Sequence, residues 1–436
     1  MTPGDPADSP PEIDRSRAIP NFRWYICALL FFATTVNYMD RMVLGILKPV
    51  IAHDMHWTED QYGTIIVCFQ TGYAVMMLLA GWFIDKVGTR LGYMISATVW
   101  SLSSMSHAFA RNAFEFGLAR LGLGLGEAAN FPAAIKTVAT WFPRRERALA
   151  TGIFNSGSNI GAVVAPLLVP LMAARFGWHS AFLLTGSCSL IWVIVWTITY
   201  REPENHPRLS AKELALIRSD HDELVVHKVP YARLLTQRAA WAFILAKFLT
   251  DPVWWFYLNW LPGFLHDNYS LDLTHLGPPL IAIYVSADVG SVGGGWISSR
   301  LLARGWPLGK ARKTAMLICA IAVTAAIFVP NAHGNLWLTV GLVSIAAAAH
   351  QGWSANIFTI GSDCFPRAAV GSIVGLAGFA GAVGGALASK ATGVWLTFSK
   401  DVYAPLFLIA GSMYLIALLI VQILLPRYKM AQVAAK

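Results

Sequence analysis

The sequence predicts an all-α membrane protein whose twelve transmembrane helices form two six-helix bundles, related by pseudo-two-fold symmetry, around a central cavity. Composition is the first reason, because 56% of the 436 residues are apolar and only 13% are charged, against about 25% charged in soluble domains. The second reason is that apolar runs long enough to cross about 30 Å of hydrocarbon recur along the chain. The third is that two short patterns of the first half recur in the second half.

The apolar runs place the membrane spans in order, each of roughly 20 residues or more. Those near 114–137 and 237–265 are less purely apolar than the others. The full set of expected spans is about 23–46, 61–84, 91–110, 114–137, 146–173, 179–200, 237–265, 276–301, 312–330, 335–360, 370–396 and 402–425.

The distribution of Lys and Arg predicts the orientation of the chain in an inner membrane. Segments on the side of the two termini carry about 24 of these residues, and the opposite loops carry about four. Because Lys and Arg accumulate in cytosolic loops, we expect both termini and the long central loop to be cytosolic.

These boundaries give a domain plan. We expect a flexible cytosolic tail at 1–19, an N-terminal bundle at 20–200, a cytosolic linker at 201–236, a C-terminal bundle at 237–426 and a cytosolic tail at 427–436. Ser210 and Glu213 have the spacing of a capping box, which predicts a short helix in the linker. We expect its charged side chains to face solvent.

The two halves of the chain echo each other. The pattern at 81–86 matches that at 295–300, and Phe142-Pro143-Arg144 matches 365–367. The offsets, about 214 and 223 residues, are similar. Such repeats are typical of carriers that bind their substrate between two related bundles.

The most informative stretch is 116–132, which is apolar enough for a membrane helix yet contains Arg120 and Glu127. Their spacing brings both side chains to nearly the same helix face, roughly 10 Å apart. A charge at this depth costs on the order of 2.5 kcal/mol or more, so such residues face a bundle interior or a watery cavity. Glycines 122, 124 and 126 allow close approach of another helix. The pattern favours a carrier that binds an anion and passes a proton; the alternative is an ion pair that only fixes packing.

Other protein classes find little support in the sequence. The glycine run of this helix follows no strand, so it is not a nucleotide-binding loop, and a Walker motif is missing. The five cysteines have no metal-binding spacing, and the sequence offers no nucleophile–base arrangement typical of an enzyme. We therefore expect no enzyme activity, no cofactor and no metal, and the positive charge is too localised to indicate a nucleic-acid partner.

Two motifs resemble the major facilitator superfamily. The stretch Gly81–Arg90 resembles its signature between the second and third helices, and Arg120, Gly124 and Ala128 resemble its fourth-helix motif. The resemblance covers about 20–430. Within the superfamily the chain is similar to the anion:cation symporter family, in the stretches 37–41, 126–132, 141–143, 154–161 and 178–182.

The seventh helix at 247–262 and the tenth at 350–363 are similar to those of hexuronate transporters, which take up galacturonate and glucuronate with protons. The resemblance implies a secondary active symporter that imports a sugar acid by alternating access, as a monomer among membrane lipids. Two alternatives stay open: a proton-coupled carrier of another organic anion, such as an aldonate or an aromatic acid, and a carrier-like membrane sensor.

Charged residues supply the expected substrate and proton sites. Arginine presents a fork that matches a carboxylate, and we expect Arg41 to bind the substrate carboxylate, with Arg120 as its competitor. The resemblance links Asp40 and Glu127 to proton coupling, and Glu127 is favoured because some hexuronate carriers lack the acid at position 40. The alternative for Asp40 and Arg41 is an ion pair at a helix end.

Polar and aromatic residues are expected to bind the sugar hydroxyls and ring faces. Aromatic faces suit the C–H faces of a pyranose, although the aromatic residues of the seventh helix also fit an interfacial belt. The other polar candidates could equally be interhelical contacts. The candidates are Tyr38, Tyr73, Asn155, Ser158, Asn159, Trp255, Asn259, Gln351 and Asn356.

The resemblance also implies a gate in which Asp85 latches the two halves at the cytosolic surface, in a loop shaped by Gly88 and Arg90. Lys247 and Asp251 are one turn apart and could pair with each other. Asp288 and Lys390 could pair across helices. A lone membrane histidine such as His350 is more often a packing residue than a proton relay.

Overall fold

A computed structural model describes residues 18–219, 230–272, 275–332, 334–365, 367–400, 402–429 and 431. Most of the two expected tails and the linker stretch 220–229 lie outside the described residues. Throughout the described ranges the regular structure is helical, without a strand.

Each expected span corresponds to one membrane helix or to one pair of consecutive helices. We label them TM1 to TM12. Their bounds are Phe22–Met55 (TM1), Glu59–Val87 (TM2), Thr89–Ser106 (TM3), Ala113–Glu127 with Asn130–Trp141 (TM4), Arg144–Phe176 (TM5), Trp178–Thr199 (TM6), Arg238–Asn259 with Leu261–Tyr269 (TM7), Gly277–Ala303 (TM8), Leu308–Val323 with the 3-10 segment Thr324–Ala332 (TM9), Leu336–Ile357 with Thr359–Cys364 (TM10), Arg367–Ser399 (TM11) and Ala404–Leu424 (TM12).

Eight of these helices are long and apolar enough to cross a membrane when judged by length and composition. The remaining four, TM3, TM4, TM7 and TM10, are shorter, interrupted or richer in polar side chains. The lower apolar character expected for the spans near 114–137 and 237–265 is therefore confirmed.

Local sequence signals explain where several helices begin. Thr58 and Gln61 form a capping box at the start of TM2. Asn112 caps TM4 by accepting a hydrogen bond from the Glu115 backbone N–H. Gly88, with φ of 88°, is the single residue between TM2 and TM3, a conformation that glycine adopts without steric cost.

The symmetry of the halves is visible in their fourth and fifth helices. TM4 is interrupted after Glu127 and TM10 is interrupted at Phe358. Each is followed by a helix of 33 residues, TM5 and TM11. The repeated Phe-Pro-Arg patterns lie at the two junctions, so the repeats seen in the sequence correspond to repeated structure.

Contacts between the halves join TM2 to TM11, TM5 to TM8 and TM1 to TM7, and several of them lie where TM2 begins and TM11 ends. Gly63 packs so closely on TM11 that an added Cβ would lie 2.9 Å from the Ser389 carbonyl oxygen. The Tyr62 hydroxyl donates to the Asn259 carbonyl oxygen at 2.6 Å. Lys390 pairs with Asp60 and not with Asp288, so the pairing considered from the sequence is wrong.

The linker helix Ala211–Arg218 packs against the N-terminal half. Ser210 caps it by accepting from the Glu213 N–H at 3.1 Å, which is one of the two bonds of the expected capping box. Glu213 itself is only 5% exposed and accepts from the backbone N–H groups of Phe22 and Arg23, 3.0 and 3.2 Å away, and from the Arg23 guanidinium. The expectation that the charges of this helix face solvent is wrong for Glu213, because the start of TM1 leaves N–H groups that need acceptors.

Candidate functional site

Arg41 of TM1 and Glu127 of TM4 form a buried ion pair. The Arg41 Nε and Nη2 atoms lie 2.9 and 2.8 Å from Glu127 Oε2. The two residues are 7% and 1% exposed. The second carboxylate oxygen of Glu127 accepts no hydrogen bond from the described residues. The pair thus holds a fixed cation beside a carboxylate that has one oxygen unpaired.

Four aromatic rings surround the Arg41 guanidinium. Its Cζ lies 4.8 Å from the ring centre of Tyr38, 5.4 Å from Phe69, 5.0 Å from Tyr73 and 5.5 Å from Trp255. All four distances fall within the range of cation–π attraction. We call Arg41, Glu127 and these four rings the Arg41 cluster. Since Trp255 belongs to TM7, the cluster joins the two halves.

The glycines of TM4 bring Glu127 to this position. A Cβ at Gly124 would lie 2.2 Å from the Phe69 carbonyl oxygen, and one at Gly126 would lie 2.5 Å from the Trp100 nitrogen. TM4 therefore packs directly on the backbones of TM2 and TM3. The close approach expected of these glycines is confirmed.

Arg120 contacts the backbone and one ring of the Arg41 cluster. It is 2% exposed and donates to the Arg41 carbonyl oxygen at 3.2 Å. Its guanidinium lies 5.6 Å from the Phe69 ring centre. Arg120 therefore contacts the TM1 backbone at the residue that carries the central cation.

Asp40 lies away from the Arg41 cluster, inside the N-terminal half. It is fully buried and accepts hydrogen bonds from Ser104 of TM3 at 2.6 Å and Ser189 of TM6 at 2.8 Å. Consecutive helix residues point about 100° apart, which sends Asp40 and Arg41 to different neighbours. The ion pair considered between them is not seen, because Arg41 pairs with Glu127.

The amides of TM7 and TM10 make contacts within the protein. Asn259 donates to the Trp255 carbonyl oxygen at 2.9 Å, at the point where TM7 is interrupted. Asn356 donates to the carbonyl oxygens of Gly294 and Gly352, each at 2.9 Å, and so links TM10 to TM8. Gln351 is half-buried. The bond from Asn356 to Gly294 is an interhelical contact of the kind named as the alternative, whereas that of Asn259 lies within TM7.

The TM5 candidates lie beside TM1. Ser158 donates to the Asn155 carbonyl oxygen at 2.6 Å and contacts the Asn159 side chain at 3.2 Å. A Cβ at Gly161 would lie 3.0 Å from the Tyr38 Cβ. This stretch of TM5 therefore packs next to one ring of the Arg41 cluster.

The charged and aromatic residues of TM7 and TM10 contact one another and TM12. Lys247 and Asp251 form the expected ion pair at 2.7 Å. His350 stacks on Trp254 with ring centres 5.1 Å apart and hydrogen bonds to Tyr414. In these contacts His350 is a packing residue.

Of the gate residues, Gly88 and Arg90 are described in full. Arg90 donates to the Thr197 carbonyl oxygen at 2.6 Å, which ties the TM2–TM3 junction to TM6. The side chain of Asp85 lies outside what the structure describes.

Gln70 is a candidate that the sequence analysis missed. It is fully buried in TM2, and neither of its amide atoms has a hydrogen-bond partner among the described residues. A Cβ at Gly385 of TM11 would lie 2.9 Å from its Nε2 and 2.6 Å from Trp255 Cδ1. Gln70 therefore borders the Arg41 cluster where the halves meet. Its position one turn before Tyr73 in an apolar helix is the signal that could have identified it.

The sequence matches the family profile of the Major Facilitator Superfamily over residues 30–389. The chain belongs to this superfamily. It is a multi-pass membrane transporter and not an enzyme, and the expected fold class is confirmed.

As a major facilitator protein it resembles solved structures over nearly its whole length. A bacterial homologue of the human lysosomal transporter Spinster, in an inward-facing and unoccupied conformation, has a TM-score of 0.70 and 17% identity, covering 94% of this chain and 97% of that one. A D-xylose-proton symporter has a TM-score of 0.71 and 15% identity, covering 95% and 99%.

Among curated relatives, the hexuronate transporter of Escherichia coli (strain K12) is 29% identical over 427 residues, 96% of this major facilitator chain and 97% of that protein. The galacturonate transporter of Dickeya chrysanthemi is 32% identical over 283 residues, 64% of this chain and 82% of that protein. The D-galactonate transporter of Escherichia coli O6:H1 is 29% identical over 388 residues, covering 86% and 89%. The resemblance to sugar-acid carriers found in the motifs is thus confirmed over most of the chain.

Proposed function

We propose that this protein imports a sugar acid, a hexuronate such as galacturonate or glucuronate, by proton symport. The observation that carries the proposal is the Arg41 cluster, in which a buried cation contacts aromatic rings from both halves. Relatives named hexuronate and galacturonate transporters support the substrate class.

In the proposed coupling, Glu127 and the substrate carboxylate compete for one partner, Arg41. In the described state its guanidinium pairs with one carboxylate oxygen of Glu127, a contact that favours the charged form of the acid. A substrate carboxylate that engages Arg41 competes with Glu127 for the same N–H groups. Burial disfavours an unpaired carboxylate, so Glu127 takes up a proton when the substrate displaces it. Binding of the anion and binding of the proton are then linked.

The surrounding groups match the remainder of a sugar acid. The rings of Tyr73 and Trp255 offer apolar faces to the C–H face of a pyranose. Gln70 offers one donor group and one acceptor that lack partners among the described residues. A sugar hydroxyl supplies both partners, so we assign Gln70 to hydroxyl binding.

Alternating access would open and close the contacts between the halves around the Arg41 cluster. The ion pair of Lys390 with Asp60 and the bond from Tyr62 to Asn259 join the halves at one end. The Lys and Arg distribution places this end outside the cell, with both termini in the cytosol. In this arrangement the protein works as a monomer in the inner membrane, and the described state is closed on the outside.

Uptake by proteoliposomes tests the proposal. An inward proton gradient should drive accumulation of radiolabelled galacturonate, and a protonophore should abolish it. A sodium gradient without a proton gradient should drive none. Accumulation that follows sodium and ignores the protonophore would refute proton coupling, and binding without accumulation would indicate a sensor.

A second candidate substrate is an aldonate, which the similarity to a D-galactonate transporter favours. An aldonate is an open chain and lacks the ring face that the aromatic residues would cover. A thermal-shift screen of the purified protein against uronates, aldonates and aromatic acids separates these classes. The larger stabilisation should come from a uronate.

A further inference from the structure

A cleft of about 610 Å³ lies between TM9 and TM12, away from the Arg41 cluster. Its walls come from the first turns of TM9, the last turns of TM12 and the segment that follows TM12. Lys310, Lys313 and Arg427 contribute cations to its lining. In the proposed orientation the cleft opens at the cytosolic surface of the membrane.

The segment after TM12 is fixed in place as one wall of the cleft. The Ala431 backbone N–H donates to the Cys364 carbonyl oxygen at 2.7 Å. The Tyr428 ring packs on TM9, where a Cβ at Gly309 would lie 3.0 Å from it. Lys313 donates to the carbonyl oxygens of Leu425 and Pro426, 2.5 and 3.0 Å away. The cleft is therefore a built feature and not a gap beside a loose end.

The charge of the cleft is not neutralised within the described part of the chain. There, Lys310, Lys313 and Arg427 form no ion pair with a carboxylate, whereas neighbouring Arg312 pairs with Asp363 at 3.1 Å. Lys310 and Arg427 are also exposed. An anion entering the cleft would meet basic side chains from two sides.

The deeper end of the cleft is apolar and continues onto the lipid-facing surface. Leu317 and Leu418 line it. Beyond them, Ile321 of TM9 is 57% exposed and Leu419 of TM12 is 59% exposed. A basic rim above an apolar wall at the membrane boundary matches one molecule with a charged head and acyl chains.

We propose that this cleft binds the headgroup of an anionic phospholipid of the cytosolic leaflet. Its phosphate would lie between Lys310 and Arg427, and an acyl chain would run along Leu317 and Leu418. Basic pockets between membrane helices on the cytosolic side are suited to such headgroups. This site is separate from the sugar-acid site, so either proposal can fail without the other.

Native mass spectrometry of the purified full-length protein, titrated with phosphatidylglycerol or with phosphatidylcholine of the same acyl chains, tests the site. Phosphatidylglycerol should bind more tightly. The double variant Lys310→Gln/Arg427→Gln should weaken its binding about thirty-fold, from the contribution of each basic side chain near a membrane surface. Binding of phosphatidylcholine should not change. Lys313 is kept because it caps TM12, and an unchanged unfolding temperature would show that the variant is folded.

The matched control is Arg300→Gln/Arg304→Gln, which removes two exposed arginines from the same end of TM8. It should leave phosphatidylglycerol binding unchanged. Equal losses in the two double variants would mean general attraction to positive charge and would overturn the site. Displacement of the lipid by millimolar inorganic phosphate would identify a free-anion site and would also overturn the proposal.

Discussion

Arg41 is held by more contacts than a structural ion pair needs. Glu127 occupies its N–H groups, four rings cover its faces, and Arg120 bonds to its carbonyl oxygen. Removal of one partner from a buried ion pair typically costs about 3–5 kcal/mol. The ring contacts and the Arg120 bond leave the N–H groups of Arg41 free to change partner, so we expect them to keep the guanidinium in place if a substrate carboxylate replaces Glu127.

Arg41→Lys should weaken binding of galacturonate at least about ten-fold, because an ammonium group keeps the charge but loses the planar fork. Isothermal titration calorimetry on the purified protein measures this. Arg175→Lys, at the end of TM5, is the control and should bind as the wild type does. Wild-type affinity in Arg41→Lys would exclude bidentate binding of the carboxylate.

Gln70→Leu should separate stability from function. Removing buried polar atoms that lack partners should stabilise the protein by up to about 1–3 kcal/mol, while the lost hydroxyl contact should weaken galacturonate binding about ten-fold. Thermal unfolding and calorimetry measure the two effects. Gln237→Leu, at the start of TM7, should change neither. A stabilised Gln70→Leu variant with normal affinity would show that this amide has no part in binding.

For single residues, the sequence predicted which side chains belong to the candidate site better than it predicted what each of them contacts. Arg41, Tyr38, Tyr73, Trp255 and Glu127 meet in one cluster. Helical spacing could not show that Asp40 faces two serines of the N-terminal half, since that depends on which helices pack beside TM1. Gln70 was missed for the same reason.

Among the helices, TM4 determines the geometry of the site. Its glycines place its backbone against TM2, and its interruption lies directly after Glu127. A small change in the distance between TM4 and TM2 would therefore move Glu127 relative to Arg41.

Gly124→Ala should destabilise the protein by about 1–3 kcal/mol, as overpacking does, and should reduce uptake. The new methyl group would collide with the Phe69 carbonyl oxygen, and backbone atoms cannot move aside easily. Thermal unfolding and proteoliposome uptake are the measurements. At Gly152 a Cβ meets nothing within 4 Å, so Gly152→Ala should be neutral or slightly stabilising. Equal behaviour of the two variants would contradict the close TM4–TM2 contact.

The linker gives a prediction about pH. His206 is 3% exposed, packs on Phe22, accepts from the Arg208 N–H and contacts the Thr199 carbonyl oxygen. Burial lowers the pKa of His206 from its ordinary value, and the charges of Arg201 and Arg208 act in the same direction. The unfolded chain therefore binds the proton more readily. The stability that neutral His206 contributes is complete above about pH 6.5 and is lost as the pH falls below it.

Unfolding temperatures should therefore decline more steeply below about pH 6.5 in the wild type than in His206→Gln, which cannot titrate. Thermal unfolding across pH 5 to 8 measures the difference. His53→Gln, at an exposed position near the end of TM1, should retain the wild-type slope. Parallel curves for wild type and His206→Gln would contradict a buried neutral imidazole.

Helix positions were predictable because span length and apolar content follow from the thickness of the membrane. The interruption of TM4 was not predicted, although Pro132, which has no N–H to donate to the Ala128 carbonyl oxygen, follows it directly. The interruption of TM10 at Phe358 was not predicted because no proline lies near it in the sequence. TM7 breaks at Trp260, and Pro262 in the first turn of the following helix has no backbone N–H with which to continue the first one.

Over the whole molecule, the fold followed from three signals of the sequence: apolar content, twelve spans and repeated motifs. Contacts between the halves did not follow, because they depend on the conformational state and not on the membrane. Lys390 illustrates this, since its partner Asp60 lies in the other half of the chain.

The central claim is that the Glu127 carboxylate pairs with Arg41 when no substrate is bound and takes up a proton when substrate occupies Arg41. Glu127→Gln in proteoliposomes tests this claim most directly. Glutamine imitates the protonated acid, so this variant should lose galacturonate accumulation driven by a proton gradient yet retain exchange of labelled for unlabelled galacturonate. Glu115→Gln, at the exposed start of TM4, should keep both activities. Proton-driven accumulation at the wild-type rate in Glu127→Gln would contradict the account.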